Sequence, residues 1–292
     1  MNAPTLLTLV IAFGIIPQSS VIHAQAPPAT KPQPTVVPPS EIQLTPSDLF
    51  ENLSKVTKPL WRQQYRSHIE RTVTSRPKAS LALGALMADL ALAGMARDAQ
   101  QIHNLVQDQE ALEKLLGIAD KMRSSRQRYV MTADSGDWPN IARGIEKAHE
   151  KQLGFLIDQR DNALASLVTT GRWVRTWQIC TTVVVSKKLE DDLLAVGNVE
   201  LVANLNSAID TLATKAPTGD KCIRVLSRKI GMIDKLWKQT GPQEQRQERL
   251  QVTKEILDEL ISLLVQDQPS SASGAGTKPA SADAPAAPSS PP

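Results

Sequence analysis

The chain has 292 residues, 41% hydrophobic but only 3% aromatic, and its 33 Lys and Arg nearly balance 30 Asp and Glu for a net charge of +3. Such a length buries a sizeable core, which Leu, Ala, Ile and Val must fill. The near-balance of charge excludes an argument for nucleic-acid binding from charge alone.

The first residues read as a targeting segment. Residues 6–16 (LLTLVIAFGII) form an apolar run of the length found in secretory signals, stopped by Pro17 and followed by the small-x-small site Ala24-Gln25-Ala26. The run is too short to span a bilayer comfortably, and no Cys stands at the cleavage point for a lipid anchor. A cleaved signal peptide over residues 1–26 is expected, with export to a periplasmic or extracellular location. Residues 27–46 are Pro-rich and predict an extended, disordered spacer. Residues 267–292, almost all Ser, Ala, Pro and Gly, predict a disordered tail. Residues 47–266 remain as the folded domain.

Helix signals run through that domain from end to end. Thr45 as N-cap, Pro46 in the first turn and Asp48 predict a short helix to about Val56. After Lys58-Pro59, a second helix is expected over residues 60–75, with Trp61, Tyr65, Ile69 and Val73 on one side. Residues 79–96 (ASLALGALMADLALAGMA) are apolar or small all the way round, with one charge, Asp89. A helix without a polar face must be surrounded. We expect the central helix of a soluble bundle rather than a membrane span, because a central Asp costs about 2.5–3.5 kcal/mol on insertion. Leu83, Leu86, Met87 and Leu90 predict one packing face, while Ser80, Gly84 and Ala88 form a row small enough to admit another helix closely.

An amphipathic helix follows, with Ile102, Leu105, Val106, Leu112 and Leu116 on its face and Gly117 as its C-cap. A strongly charged helix covers about residues 118–132. A long helix then starts at Asp137 and runs through Ile145, Leu153 and Leu167, with Gly171 expected to end it. The next carries Trp173, Trp177, Cys180 and Val184 and includes the β-branched residues 181–185. Residues 190–213 predict a short helix and a longer one around Leu205, and two more are expected around Ile230 and Leu257. No strand pair with turn chemistry occurs, so the expected fold is all-α: a multi-helix antiparallel bundle of helical hairpins between Pro-rich ends. The stretches around Arg97-Asp98 and Gly136-Asp137 look like similar turns entering helices, but no 34-residue period accompanies them.

Chemistry-bearing residues are sparse. Glu146 and His149 stand in a Glu-x-x-His arrangement that puts both side chains on one helix face, a candidate metal pair. A di-iron bundle needs a second such pair, and the other histidines beyond the signal, His68 and His103, lack a Glu at that offset. Ser75 and Lys78 fit Ser-x-x-Lys without its companion motifs. No phosphate loop, dinucleotide fingerprint or haem attachment site occurs, so no cofactor and no catalytic residue is assigned. Cys180 and Cys222 are the only cysteines; both sit on inward-facing stripes, and after export they are expected to pair, for about 3–4 kcal/mol of stabilisation. Asp89, once buried, needs an Arg or His partner. Arg172, Trp173, Arg175 and Trp177 mix cations with indoles, as binding surfaces do; the alternative puts the indoles in the core while the arginines reach back to solvent. The expected role is a non-catalytic exported module that binds a protein or another envelope macromolecule, not nucleic acid, with no membrane span in the mature chain. The alternative is a bundle holding a small ligand or metal inside.

Overall fold

The computed structural model describes residues 44–66, 73, 75–189, 198–215, 221–239 and 243–265, all within one compact unit spanning residues 34–292. The predicted signal peptide, most of the Pro-rich spacer and the C-terminal tail lie outside the described residues. These form nine α-helices and no strand: α1 (Pro46–Val56), α2 (Arg76–Met95), α3 (Ala99–Leu116), α4 (Ala119–Asp134), α5 (Trp138–Asp158), α6 (Asn162–Lys187), α7 (Asn198–Lys215), α8 (Lys221–Trp237) and α9 (Gln243–Val265). The all-α expectation holds, and the helices pack on one another as a bundle.

Thr45 starts α1 as expected. Its hydroxyl accepts from the Asp48 amide at 3.2 Å while the Asp48 carboxylate accepts from the Thr45 amide at 2.8 Å, a reciprocal capping box. Leu49, Phe50 and Leu53 are buried from this helix. The helix expected over residues 60–75 does not form in its described part. Only a 3₁₀ turn, Trp61–Gln64, appears, and Tyr65 is already extended. Tertiary contacts outweigh the weak local propensity here: Trp61 packs on Phe50 with ring centroids 5.4 Å apart, and the extended exit aims Gln64 and Arg66 at the interior.

Helix α2 is the centre. Every residue from Ala79 to Ala93 is buried, chiefly by α6, then by α3, α5 and α1. By length and composition α2 is apolar enough to cross a membrane, yet 83% of its apolar window is buried inside the protein. The predicted small row does admit another helix. A Cβ on Gly84 would overlap the Val168 carbonyl of α6, and one on Gly171 of α6 would overlap the Leu81 carbonyl of α2. Gly171 therefore does not end a helix, contrary to expectation; it lets two helix backbones touch in the middle of α6. The break falls earlier, at Arg160, which adopts φ 62°.

That break is one of a set. Arg97, Gly117, Gly136, Arg160 and Lys188 all have left-handed backbone. The next residue in each case returns its amide to a carbonyl five positions back: Asp98 to Ala93, Ile118 to Glu113, Asp137 to Thr132, Asp161 to Leu156 and Leu189 to Val184, at 2.9–3.1 Å. This is the closing bond of the Schellman motif. Asp98, Ile118, Asp137 and Asp161 also serve as N-caps of the helices that follow. One turn design thus joins α2 through α6, and the likeness between the Arg97 and Gly136 turns extends to two more.

Helix α7 packs on α8, and α9 lies against both α8 and α6. The inward stripes carrying the two cysteines form as predicted, but they do not bring the cysteines together, and no disulfide joins them. Trp177 of α6 meets Trp237 at the last residue of α8, ring centroids 5.5 Å apart. Cys180 is therefore level with the C-terminal end of α8, whereas Cys222 lies in its first turn, about 22 Å back along the axis at 1.5 Å per residue. A disulfide requires Cα atoms within about 7 Å. Complete burial pushes the Cys180 thiol up.

Candidate functional site

Three buried polar clusters stand out among the described residues. The first forms around Asp89, 3% exposed on α2. Arg175 of α6 donates from Nε to its Oδ1 at 2.7 Å, and Arg66 donates from Nε to Oδ2 at 2.5 Å. Arg175 Nη2 also donates to the Gln64 carbonyl at 2.5 Å, and Nη1 donates to Gln178. Gln178 passes on to Asp258 of α9 at 2.7 Å, where Lys254 pairs at 2.7 Å. Burial pulls Arg175 below the usual guanidinium value, and Asp89 opposes that pull. The arginine partner expected for Asp89 is present, twice over. With both carboxylate oxygens occupied, the cluster ties α2, α6, α9 and the chain after α1 together.

The second cluster centres on Glu113 of α3, which has no exposed surface. Gln109 and Gln152 donate to its Oε1 at 2.7 and 2.9 Å, and Arg126 of α4 pairs with its Oε2. Tyr129 donates in turn to Gln109. Burial pushes the Glu113 carboxyl up, opposed by these donors. Tyr129 is likewise pushed up by burial and then by the Glu113 charge. Sequence reasoning missed this cluster. Its signal was present: Gln109 and Glu113 share a face with Leu105, Leu112 and Leu116, so two polar residues occupy core positions.

The third cluster contains the candidate metal pair. Helix α5 does place Glu146 and His149 on neighbouring positions of its inner side, but Arg172 of α6 pairs with Glu146. Arg172 also acts on His149, whose protonation is held well below the usual imidazole value, first by burial and then by that charge. A site with a guanidinium already on its carboxylate is a poor fit for a metal cation. No group of three or more His, Cys, Asp and Glu suited to a metal exists among the described residues. His149 Nδ1, Gln152 Oε1 and Arg172 Nε are buried without a hydrogen-bond partner.

His149 makes stability pH-dependent. The unfolded chain takes up a proton near pH 6.5 while the native imidazole stays neutral to much lower pH. Its contribution is therefore present above about pH 6.5 and is lost as pH falls toward the depressed native value, at about 1.4 kcal/mol per pH unit. Urea unfolding at pH 7.5 and 5.5 should show this loss, and His149→Leu should remove it. Equal pH dependence in the two proteins would contradict the assignment.

Arg172, Trp173, Arg175 and Trp177, expected as a candidate binding surface, are all buried. Trp173 and Trp177 pack with centroids 5.7 Å apart, and the indoles fill the core as in the alternative reading. The two arginines do not reach back to solvent; they turn inward onto Glu146 and Asp89.

Outside, α4 and α5 pack side by side and carry Lys121, Arg128, Arg143, Lys147 and Lys151, all exposed. Arg143 donates to Asn140 at 2.8 Å and Lys121 lies over the Phe155 ring, but none of the five has a carboxylate partner among the described residues. No sequence-family model, curated protein or solved structure matches this chain.

Proposed function

We propose that the protein is an exported, non-catalytic helical module that binds another macromolecule of the cell envelope. Support for export comes from the apolar run over residues 6–16 and the Ala24-Gln25-Ala26 site. Support for a binding role comes chiefly from one observation: five exposed cations on α4 and α5 without carboxylate partners, beside a core whose own charges are engaged with one another. The alternative, a ligand or metal held in the core, is disfavoured at Glu146 and His149 by Arg172.

Chemical cross-linking of the full-length protein in intact cell envelopes, followed by mass spectrometry, tests this reading. The expected product is a defined complex with another chain, with cross-links to lysines of α4 and α5 and a mature N-terminus close to Ala26. Only self-linked protein would overturn the binding role, and recovery of an intact Met1 would overturn the cleaved export signal.

A further inference from the structure

The exposed cations on α4 and α5 are arranged, not scattered. Two contacts set the helices antiparallel: the Lys121 Nζ lies 5.2 Å from the Phe155 ring centroid, and a Cβ on Gly144 would stand 3.7 Å from the Tyr129 Cβ. Between these contacts, Gly144, Lys147, Lys151 and Phe155 follow one another at steps of three or four, so they form one row on the flank of α5 that faces α4. Lys121 and Arg128, two turns apart, lie on the flank of α4 that faces α5. Four cations therefore border one groove along about 16 Å of helix.

Two of the nearby acids are engaged elsewhere. Asp120 pairs with Arg123 at 3.0 Å on the other flank of α4, and Asp134 pairs with His103 of α3. Glu150, three residues from Lys147, and Asp158, three residues past Phe155, are exposed at the groove's margin, so the cations outnumber these acids four to two. We propose that this groove takes an extended acidic segment of a polypeptide partner, an inference that rests on the binding role proposed above. Cations converging on a groove from both walls match a line of charge, whereas an anionic membrane offers a plane. Three of the four are lysines, compact point charges rather than planar forks. Phe155, the aromatic ring beside the two lysines of α5, already has Lys121 over one face. Carboxylates on alternate residues of an extended chain repeat at about 6.6 Å, close to the 6 Å or so that separate Lys147 and Lys151 along α5.

Poly-L-glutamate serves as the probe, with binding to the full-length folded protein followed by calorimetry at about 0.15 M salt, where long-range attraction is screened. The quadruple variant Lys121→Gln, Arg128→Gln, Lys147→Gln, Lys151→Gln should bind about tenfold or more weakly. A control variant neutralising four exposed cations elsewhere, Lys187, Lys221, Arg228 and Lys235, should bind like wild type. The single reversal Lys147→Glu gives an independent reading if the quadruple variant melts early. Equal losses in groove and control variants would reduce the effect to net charge and overturn the groove. So would absence of wild-type binding, or tighter binding of phosphatidylglycerol vesicles or a single-stranded oligonucleotide. If cross-linking still yields an envelope complex while poly-L-glutamate binding fails, the groove inference falls and the binding role stands.

Discussion

Replacing Gly171 by Ala is expected to destabilise the protein by about 3 kcal/mol, the upper end of overpacking costs, although the same change in a free helix is favourable. The added methyl would meet the Leu81 carbonyl of α2, and a backbone atom cannot rotate aside as a side chain does. The helices would have to separate, loosening the largest interface in the bundle. Gly154→Ala on α5 is the matched comparison. A Cβ there meets nothing within 4 Å, so only helix propensity acts, a gain of about 0.5–1 kcal/mol. Urea midpoints should therefore move in opposite directions for two chemically identical substitutions. Movement in the same direction would show that α2 and α6 are not in backbone contact.

Arg126→Met is the second large effect, expected at about 3–5 kcal/mol because it leaves the Glu113 charge buried without its cation. Adding Glu113→Leu should recover most of that loss, since a hydrophobic pair often replaces a buried ion pair at little cost. The sign of the pH dependence is fixed by the direction of the carboxyl shift. Burial already holds Glu113 above its unfolded value in the wild type, and loss of Arg126 raises it further. A raised carboxyl favours the native state when protonated, so the deficit relative to wild type should grow with rising pH and shrink as pH falls toward about 4.5. A deficit independent of pH would show that lost packing, not the stranded charge, dominates.

Much of the architecture was legible because it is written in local pattern. The all-round apolar composition of residues 79–96 foretold burial on every side, and the row of Ser80, Gly84 and Ala88 foretold a close helix. Thr45 and Gly117 act as the caps their types suggest. What local pattern lacks is the identity of the facing element. Periodicity turned Cys180 and Cys222 inward correctly, yet inward led to different ends of α8. Gly171 read as a helix stop because a lone glycine carries the same letter whether it frees a turn or clears space for a neighbour. The left-handed turn at Arg160 had no glycine to announce it. Residues 60–75 carried an apolar stripe, but their described part is drawn out by contacts to Phe50 and Arg175 that no short window contains. The candidate site shows the same limit: Asp89 and its need for a cation were plain, while Arg175, 86 positions away, was noticed only for its proximity to tryptophans.

The separation between α2 and its main partner has a consequence in time. A ribosome adds about 5–20 residues per second, so the 86 residues between Asp89 and Arg175 take roughly 4–17 s to appear. Helices α3, α4 and α5 emerge in that interval, joined by turns that need only local contacts and close quickly. Helix α2 gains partial cover from α3 and α5 but keeps its α6 face open until the last of them is made. Whether the chain emerges from the ribosome or after the proposed export, α2, the most apolar of the described helices, waits with that face open, and slowing emergence after residue 95 should cost yield more than slowing it anywhere later.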